Sequence, residues 1–416
     1  MKNFFKRRQL QIAADVNAKY VGVRGATWRA RVDASGVLHP TDGSVSTSWQ
    51  IAAADTWHNP SREPSTRQKW YAGTPVVETR VRVPGGDVAV RMFCAADMGG
   101  VTVWEFENES PSPVVVGFSR SDVLTSVPSS PPLGTDLPQG SIALPLGHRG
   151  TTRVGLLHSR PHTGQLPDDV PRAPAVVRGW EAAAEVPSRL VLPEHSLTSR
   201  IVEFRTQLLL NEASFDVSPH SRIELLRLGE VDDEWALGLS RIAEDIVVAQ
   251  RRRPSLSWDT PWLLTNIAAL SNRLGDETLA SDVIAAMLRL ADRDVEPIPG
   301  EVEELSQVVA WAESLLVRPS LAGGRCTVFP DGIPRTWWGQ NLEWHRLAAD
   351  AARTLSGAVR WHGSRPALLW ETSGPAGLVI DASRGDDAWH TTQPSGETLL
   401  PEPGPVSDDL ADVVSD

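Results

Sequence analysis

The chain has 416 residues, 41% apolar and 22% charged, with a formal net charge of −12 at neutral pH. That length suits two or three domains with cores of their own, and no apolar run reaches the ~18 residues needed to cross a membrane. The acidic balance argues against nucleic acid, because phosphate binding needs an excess of Lys and Arg on one face.

The opening Met1-Lys2-Asn3-Phe4-Phe5-Lys6-Arg7-Arg8 is basic like the start of a signal peptide. Gln9, Gln11 and Asp15 interrupt the apolar stretch that would have to follow, so the chain reads as cytoplasmic, without a targeting segment. From about Thr27 to Leu192 apolar residues recur with period two or in short runs, broken by Gly, Pro and Ser. Strands are predicted at Thr27 to Val32, Val76 to Val83, Val88 to Ala95, Val101 to Glu107, Val114 to Ser119, Ser141 to Leu144 and Thr152 to Leu157. In the second, Val77, Thr79, Val81 and Val83 alternate with Glu78, Arg80 and Arg82, the pattern of a sheet with one solvated face. Pro84-Gly85-Gly86-Asp87 turns directly into the next strand as a hairpin. The Pro-rich segment from Val127 to Gln139 is expected as a surface loop. Pro161 to Pro174 is a second Pro-rich crossing. Short strands without intervening helices imply an antiparallel β-sandwich.

The period then changes to 3.6, with helices predicted near Thr198 to Glu212, Pro219 to Leu228 and Asp233 to Arg252. Three more follow between Trp258 and Leu316, and a last one from Gln340 to Leu355. Leu263, Ile267, Leu270 and Leu274 share one helical face, as do Leu279, Val283, Ala286 and Leu290, and then Leu305, Val309, Ala312 and Leu316. Gly275 stops one helix and Asp276 caps the next, so tight a turn that the pair must be antiparallel. Arg251-Arg252-Arg253 ends a predicted helix, where cations oppose the macrodipole. After Gly357 short strands return at Val359 and Trp361, Ala367 to Trp370 and Leu378 to Ile380. From Gln393 the composition is acidic and poor in large apolar residues, so a disordered tail is expected. The fold class is therefore α+β and multidomain: an antiparallel β-sandwich (1–192), an α/α helical-hairpin domain (193–356), a small closing β sheet (357–392) and an acidic tail (393–416).

Cys94 and Cys326 form no metal-binding or redox pattern and read as free thiols. Pro161 separates His158 from His162 and spoils a shared helical face, so no metal is expected. No nucleophile elbow, P-loop or dinucleotide fingerprint is present in the sequence, and no cofactor is expected. The excess of Arg over Lys, 36 to 4, is read as coding bias.

The order of sandwich, helical hairpins and terminal β segment resembles the six-hairpin glycosidases, the glucoamylase-like carbohydrate-active proteins. The phrases Val103-Trp104-Glu105-Phe106-Glu107-Asn108-Glu109-Ser110-Pro111, Trp258-Asp259-Thr260-Pro261-Trp262 and Trp361-His362-Gly363-Ser364-Arg365-Pro366-Ala367-Leu368-Leu369-Trp370-Glu371 are similar to segments of its bacterial members. The resemblance implies an oligosaccharide or polysaccharide partner, possible hydrolysis of α-linked glucans, and an α/α toroid. A closed toroid in that group holds more helices than this segment does, which implies an open or abbreviated one.

Glycoside hydrolysis uses two carboxylates across the scissile bond. Asp259, in a Trp-flanked turn, and Glu343, within Trp337-Trp338-Gly339-Gln340-Asn341-Leu342-Glu343-Trp344, are the candidate catalytic pair. Capping the following helix is the alternative role of Asp259, and packing the alternative role of the Trp-rich segment. Trp258, Trp262, Trp337, Trp338 and Gln340 are the candidate substrate-binding residues, because indole faces lie against sugar rings while amides bond hydroxyls. These residues are expected to line one cleft between the helical domain and the sandwich. Two functions stand side by side: a glycoside hydrolase, and a non-catalytic scaffold or glycan-binding protein that keeps the architecture.

Overall fold

The computed structural model describes residues 19–210, 218–251, 253–382 and 389–403. Among them the chain is mixed α/β, with five β-sheets and seven α-helices, none of them long and apolar enough to cross a membrane. The basic start of the chain, Arg252 and residues 404–416 of the expected tail lie outside the described residues. Two compact units divide the chain: Met1–Glu181 with Leu209–Asn211, and Ala182–Leu208 with Glu212–Asp416.

The first unit is built on a seven-stranded sheet. Five of its strands run Thr151–Leu157, Val101–Asn108, Gly86–Ala95, Val77–Val83 and, at the edge, Arg67–Trp70, each antiparallel to the next. A four-stranded sheet in the order Ile142–Leu146, Val114–Phe118, Trp49–Ala52 and Trp57–His58 shares one apolar core with it. Trp104 meets Phe118 edge-on at 5.0 Å between ring centroids, and Trp49 meets Phe106 at 5.7 Å. The expected hairpin forms across Pro84 and Gly85, with Val83 paired to Gly86. Gly85 sits at φ +80°, which favours glycine, and a Cβ there would fall 2.9 Å from Pro111.

One expectation is overturned here. The charged face of Val77–Val83 is not simply solvated: Glu78, Glu105 and Arg153 are each at most 4% exposed. Pairing registers place Lys69, Glu78, Arg91, Glu105 and Arg153 side by side across five strands, so charge alternates in sign along the row. Along the same face Phe93, Val101 and Val103 form a second core with Val170 and Ala173. Arg153 Nη2 donates to the carbonyls of Val170 (2.8 Å) and Pro171 (3.1 Å), holding that covering segment down. The segment leads into a helix the sequence pattern does not reveal, α1 (Ala173–Ala184).

In the second unit the helices are α2 (His195–Leu210), α3 (Pro219–Arg227), α4 (Trp235–Gln250), α5 (Thr260–Arg273), α6 (Glu277–Leu290) and α7 (Val308–Leu316). Ser218 Oγ accepts from the Ser221 amide ahead of Pro219, and Asp276 Oδ1 accepts from the Leu279 amide at 2.9 Å. Gly275, at φ +83°, makes the turn between α5 and α6, whose apolar stripes are buried as their spacing predicts.

The helix expected over Gln340 to Leu355 is a strand instead. Leu342–Ala348 lies in a five-stranded antiparallel sheet ordered Arg189–Val191, Leu342–Ala348, Thr354–His362, Arg365–Ser373 and Ser395–Leu399. Its register shifts between Trp344 and Leu347, where Arg346 takes φ +61°. That bulge breaks the period-two pattern, leaving Trp344 and Leu347 three residues apart, the spacing of neighbours on a helical face. The indole of Trp344 also lies over Gly357, where a Cβ would come within 2.3 Å of it. The closing sheet therefore begins at Arg189, well before Gly357, and the start of the expected tail is its edge strand. A four-stranded sheet, Val317–Pro319, Arg325–Val328, Val379–Ala382 and His390–Thr391, completes the unit.

Burial alone would raise the Glu78 carboxyl, but Arg80, the Tyr71 hydroxyl (2.5 Å) and Lys69 outweigh it and hold it at about 2, against an ordinary 4.5. Its stabilising contribution is complete above pH 4.5 and is lost as pH falls through about 2. Glu78→Gln should thus lower the thermal midpoint at pH 7, and the gap from the parent should close between pH 4.5 and 2. A gap that does not vary with pH would show that the carboxylate is not the stabilising form.

Candidate functional site

The centre of the second unit is a buried ion network. Arg205 on α2 spends its guanidinium wholly inside the protein: Nε on Glu224 (2.6 Å), Nη1 on the Ala184 and Ser188 carbonyls (3.0 and 2.7 Å), and Nη2 on Ser188 Oγ (2.7 Å). Glu224 and Arg227 stand one turn apart on α3 and pair at 2.7 Å. Glu313 on α7 accepts from Arg227 (2.8 Å), from the Ser188 hydroxyl (2.5 Å) and from the Trp262 indole N–H (2.7 Å). Burial would raise the Glu313 carboxyl, but Arg227 and Arg205 more than offset it and hold it ionised. Burial likewise opposes the charge on Arg227, while Glu224 and Glu313 secure it.

Trp262, on the first turn of α5, is 3% exposed. Arg227 lies over its ring at 5.4 Å and His220 stacks on it at 5.9 Å. Asp259 precedes α5 without capping it through its side chain. Its Oδ2 is 3.1 Å from His220 Nε2, a close contact without an aligned hydrogen bond. Burial pushes the Asp259 carboxyl up, yet His220 and Ser257 bring it below the usual range. Trp258 is half-buried in the same turn.

The other sequence-derived residues follow one turn and the strand after it. Trp337 is 1% exposed in the helical turn Arg335–Trp337. Trp338 is half-buried, donates its indole N–H to the Ile333 carbonyl (2.9 Å) and has the Arg335 guanidinium 6.0 Å from its ring. Gln340 is exposed and donates its amide to the Thr336 carbonyl at 2.8 Å. Glu343 is ion-paired to Arg360 and lies 3.6 Å from His345 Nε2; Arg360 holds its carboxyl below the usual range despite partial burial. The structure thus joins Asp259 and Trp262 through His220, and ties Glu343 to Arg360.

A cleft of about 670 Å³ opens in this unit, lined by Arg227, Arg273, Arg346, Arg353, Asn266 and Asp350 together with small and aliphatic residues. Arg227, Asn266 and Asp350 are its buried polar lining, whereas Arg273 and Arg346 are exposed. Arg353 pairs with Asp350 and donates to the Pro375 carbonyl (2.7 Å). Sequence reasoning missed these residues. Arg273 reads as an ordinary helix-terminal cation, Arg346 falls in the misread helix, and no spacing connects them. Comparisons with protein-family models, curated proteins and solved structures find no match to the chain.

Glu313→Ala would leave Arg205 and Arg227 buried with Glu224 as their only carboxylate. A loss of about 3–5 kcal/mol is expected in denaturant unfolding, with Glu313→Gln falling in between. A change below about 1 kcal/mol would show that the network is open to water.

Proposed function

We propose that this protein binds a glycan on a glycosidase-like frame and does not hydrolyse it. The observation that carries this reading is that both candidate carboxylates are already engaged inside the protein, Asp259 against His220 at 3.1 Å and Glu343 in an ion pair with Arg360. Both carboxyls lie below their ordinary values. Glycoside cleavage requires one of its two carboxyl groups to be a protonated acid near neutral pH, and a lowered value works against that role.

The frame in this reading is an antiparallel β-sandwich, an abbreviated α/α toroid and a C-terminal β segment. The core shared by the two sheets of the first unit supports the sandwich, and the α5–α6 hairpin supports the helical part. The second unit's cleft supports a saccharide ligand by its volume and by the amide and guanidinium donors available to hydroxyl groups. Of the sequence-derived indoles, Trp258 and Trp338 keep surface that a sugar ring could meet, while Trp262 and Trp337 are buried.

Incubation with panels of α- and β-linked oligosaccharides and aryl glycosides should release no reducing sugar or aglycone, while calorimetry detects binding to at least one panel member. Turnover that disappears in Asp259→Asn or Glu343→Gln would overturn this reading and restore the hydrolase.

A further inference from the structure

Charge is unevenly settled around the cleft. In the network behind it, Arg205 and Arg227 are matched by Glu224 and Glu313, and Arg353 is matched by Asp350. Arg273 and Arg346 have no such partner among the described residues. Arg273 Nη2 donates to the Leu226 carbonyl at 2.7 Å, and Arg346 Nη2 donates to the Glu185 and Val186 carbonyls at 2.7 and 3.2 Å. A carbonyl orients a guanidinium without cancelling its charge, so two anchored cations border one open cavity.

We propose that this cleft binds an acidic saccharide, whose carboxylate or phosphate oxygens are taken by Arg273 and Arg346. The saccharide part rests on the glycan-binding reading above; the anionic part rests on the cleft itself. Anchoring to main-chain carbonyls removes much of the rotamer freedom that binding would otherwise have to freeze. Arg346 stands at the bulge of Leu342–Ala348 with φ +61°, a conformation unfavourable for a non-glycine residue, and bulges redirect the side chains they carry. Although Arg273 is exposed as a residue, partial desolvation where it meets the Leu226 carbonyl and repulsion from neighbouring Arg227 both disfavour its charge, and a bound oxyanion would relieve that repulsion. The described residues lining the cleft include no aromatic ring, so stacking against a neutral sugar has no platform there and recognition falls to charge and hydrogen bonds.

The test is calorimetry on the full chain with an oligogalacturonate, glucose 6-phosphate, inorganic phosphate and neutral maltotriose, at low and high salt. Acidic saccharides are expected to bind more tightly than maltotriose and to weaken as salt rises. Arg273→Gln and Arg346→Gln should each cost about tenfold in affinity, the scale of one charge-assisted hydrogen bond. The oligogalacturonate and the sugar phosphate distinguish a carboxylate ligand from a phosphate one. Equal affinity for acidic and neutral saccharides, or full affinity in the double variant, would overturn the anionic inference and leave glycan binding standing. Binding of inorganic phosphate with no saccharide bound would overturn the saccharide reading and leave an anion site. Binding of none of the probes would overturn both. If the double variant fails to fold, the salt dependence and the acidic-to-neutral ratio on the parent chain decide the same question.

Discussion

Glu313 is the group on which the second unit depends. One carboxylate on α7 receives a guanidinium from α3, a hydroxyl from the residue before Arg189–Val191 and an indole N–H from α5. Its partner Arg227 shares Glu224 with Arg205, which brings in α2. Four helices and a strand are thus tied to one charge-balanced cluster. Burying these ions is costly, and only complete pairing makes it tolerable, because every polar atom left alone would carry its full desolvation penalty. Close-packed apolar stripes and a fork of guanidinium donors on fixed carboxylates both specify the helix register, the fork adding directional geometry.

This constraint shapes the cleft. Arg227 contributes to the lining, but its charge is already spent inward on Glu224 and Glu313. The unspent charge lies with Arg273 and Arg346, held by backbone carbonyls where ligand can reach them. Trp262 illustrates the same economy. Its indole N–H serves Glu313 and its ring lies against Arg227 and His220, so one of the indoles expected to meet a sugar organises the interior instead.

The first unit solves a different problem with similar means. Its seven-stranded sheet is covered on part of both faces, and the second face mixes apolar residues with a row of alternating charges. Within that row Glu78 accepts from Arg80, Arg91 and Tyr71, so a nearly inaccessible carboxylate is fully served. Cross-strand pairs of opposite sign favour the native register, since a slip of one residue would move the whole row to the other face.

Local spacing determined much of the secondary structure. The hairpin at Pro84-Gly85, the strands around it, the Gly275-Asp276 turn and the stripes of α5 and α6 were legible because turn chemistry and periodicity act over a few residues. Leu342–Ala348 reads as a helix because a bulge disguises period two, and α1 is hidden by the Pro-rich pattern before it. The edge strand Ser395–Leu399 reads as tail in the sequence because it gains its partners from Arg365–Ser373. Of the candidate site, the sequence revealed the residue types but not their commitments. Whether Asp259, Glu343 or Trp262 is available to a ligand depends on His220, Arg360 and Glu313, all distant in sequence. The arginine cleft came from tertiary structure alone, because charge balance depends on which groups meet in space, and no periodicity along the chain encodes that.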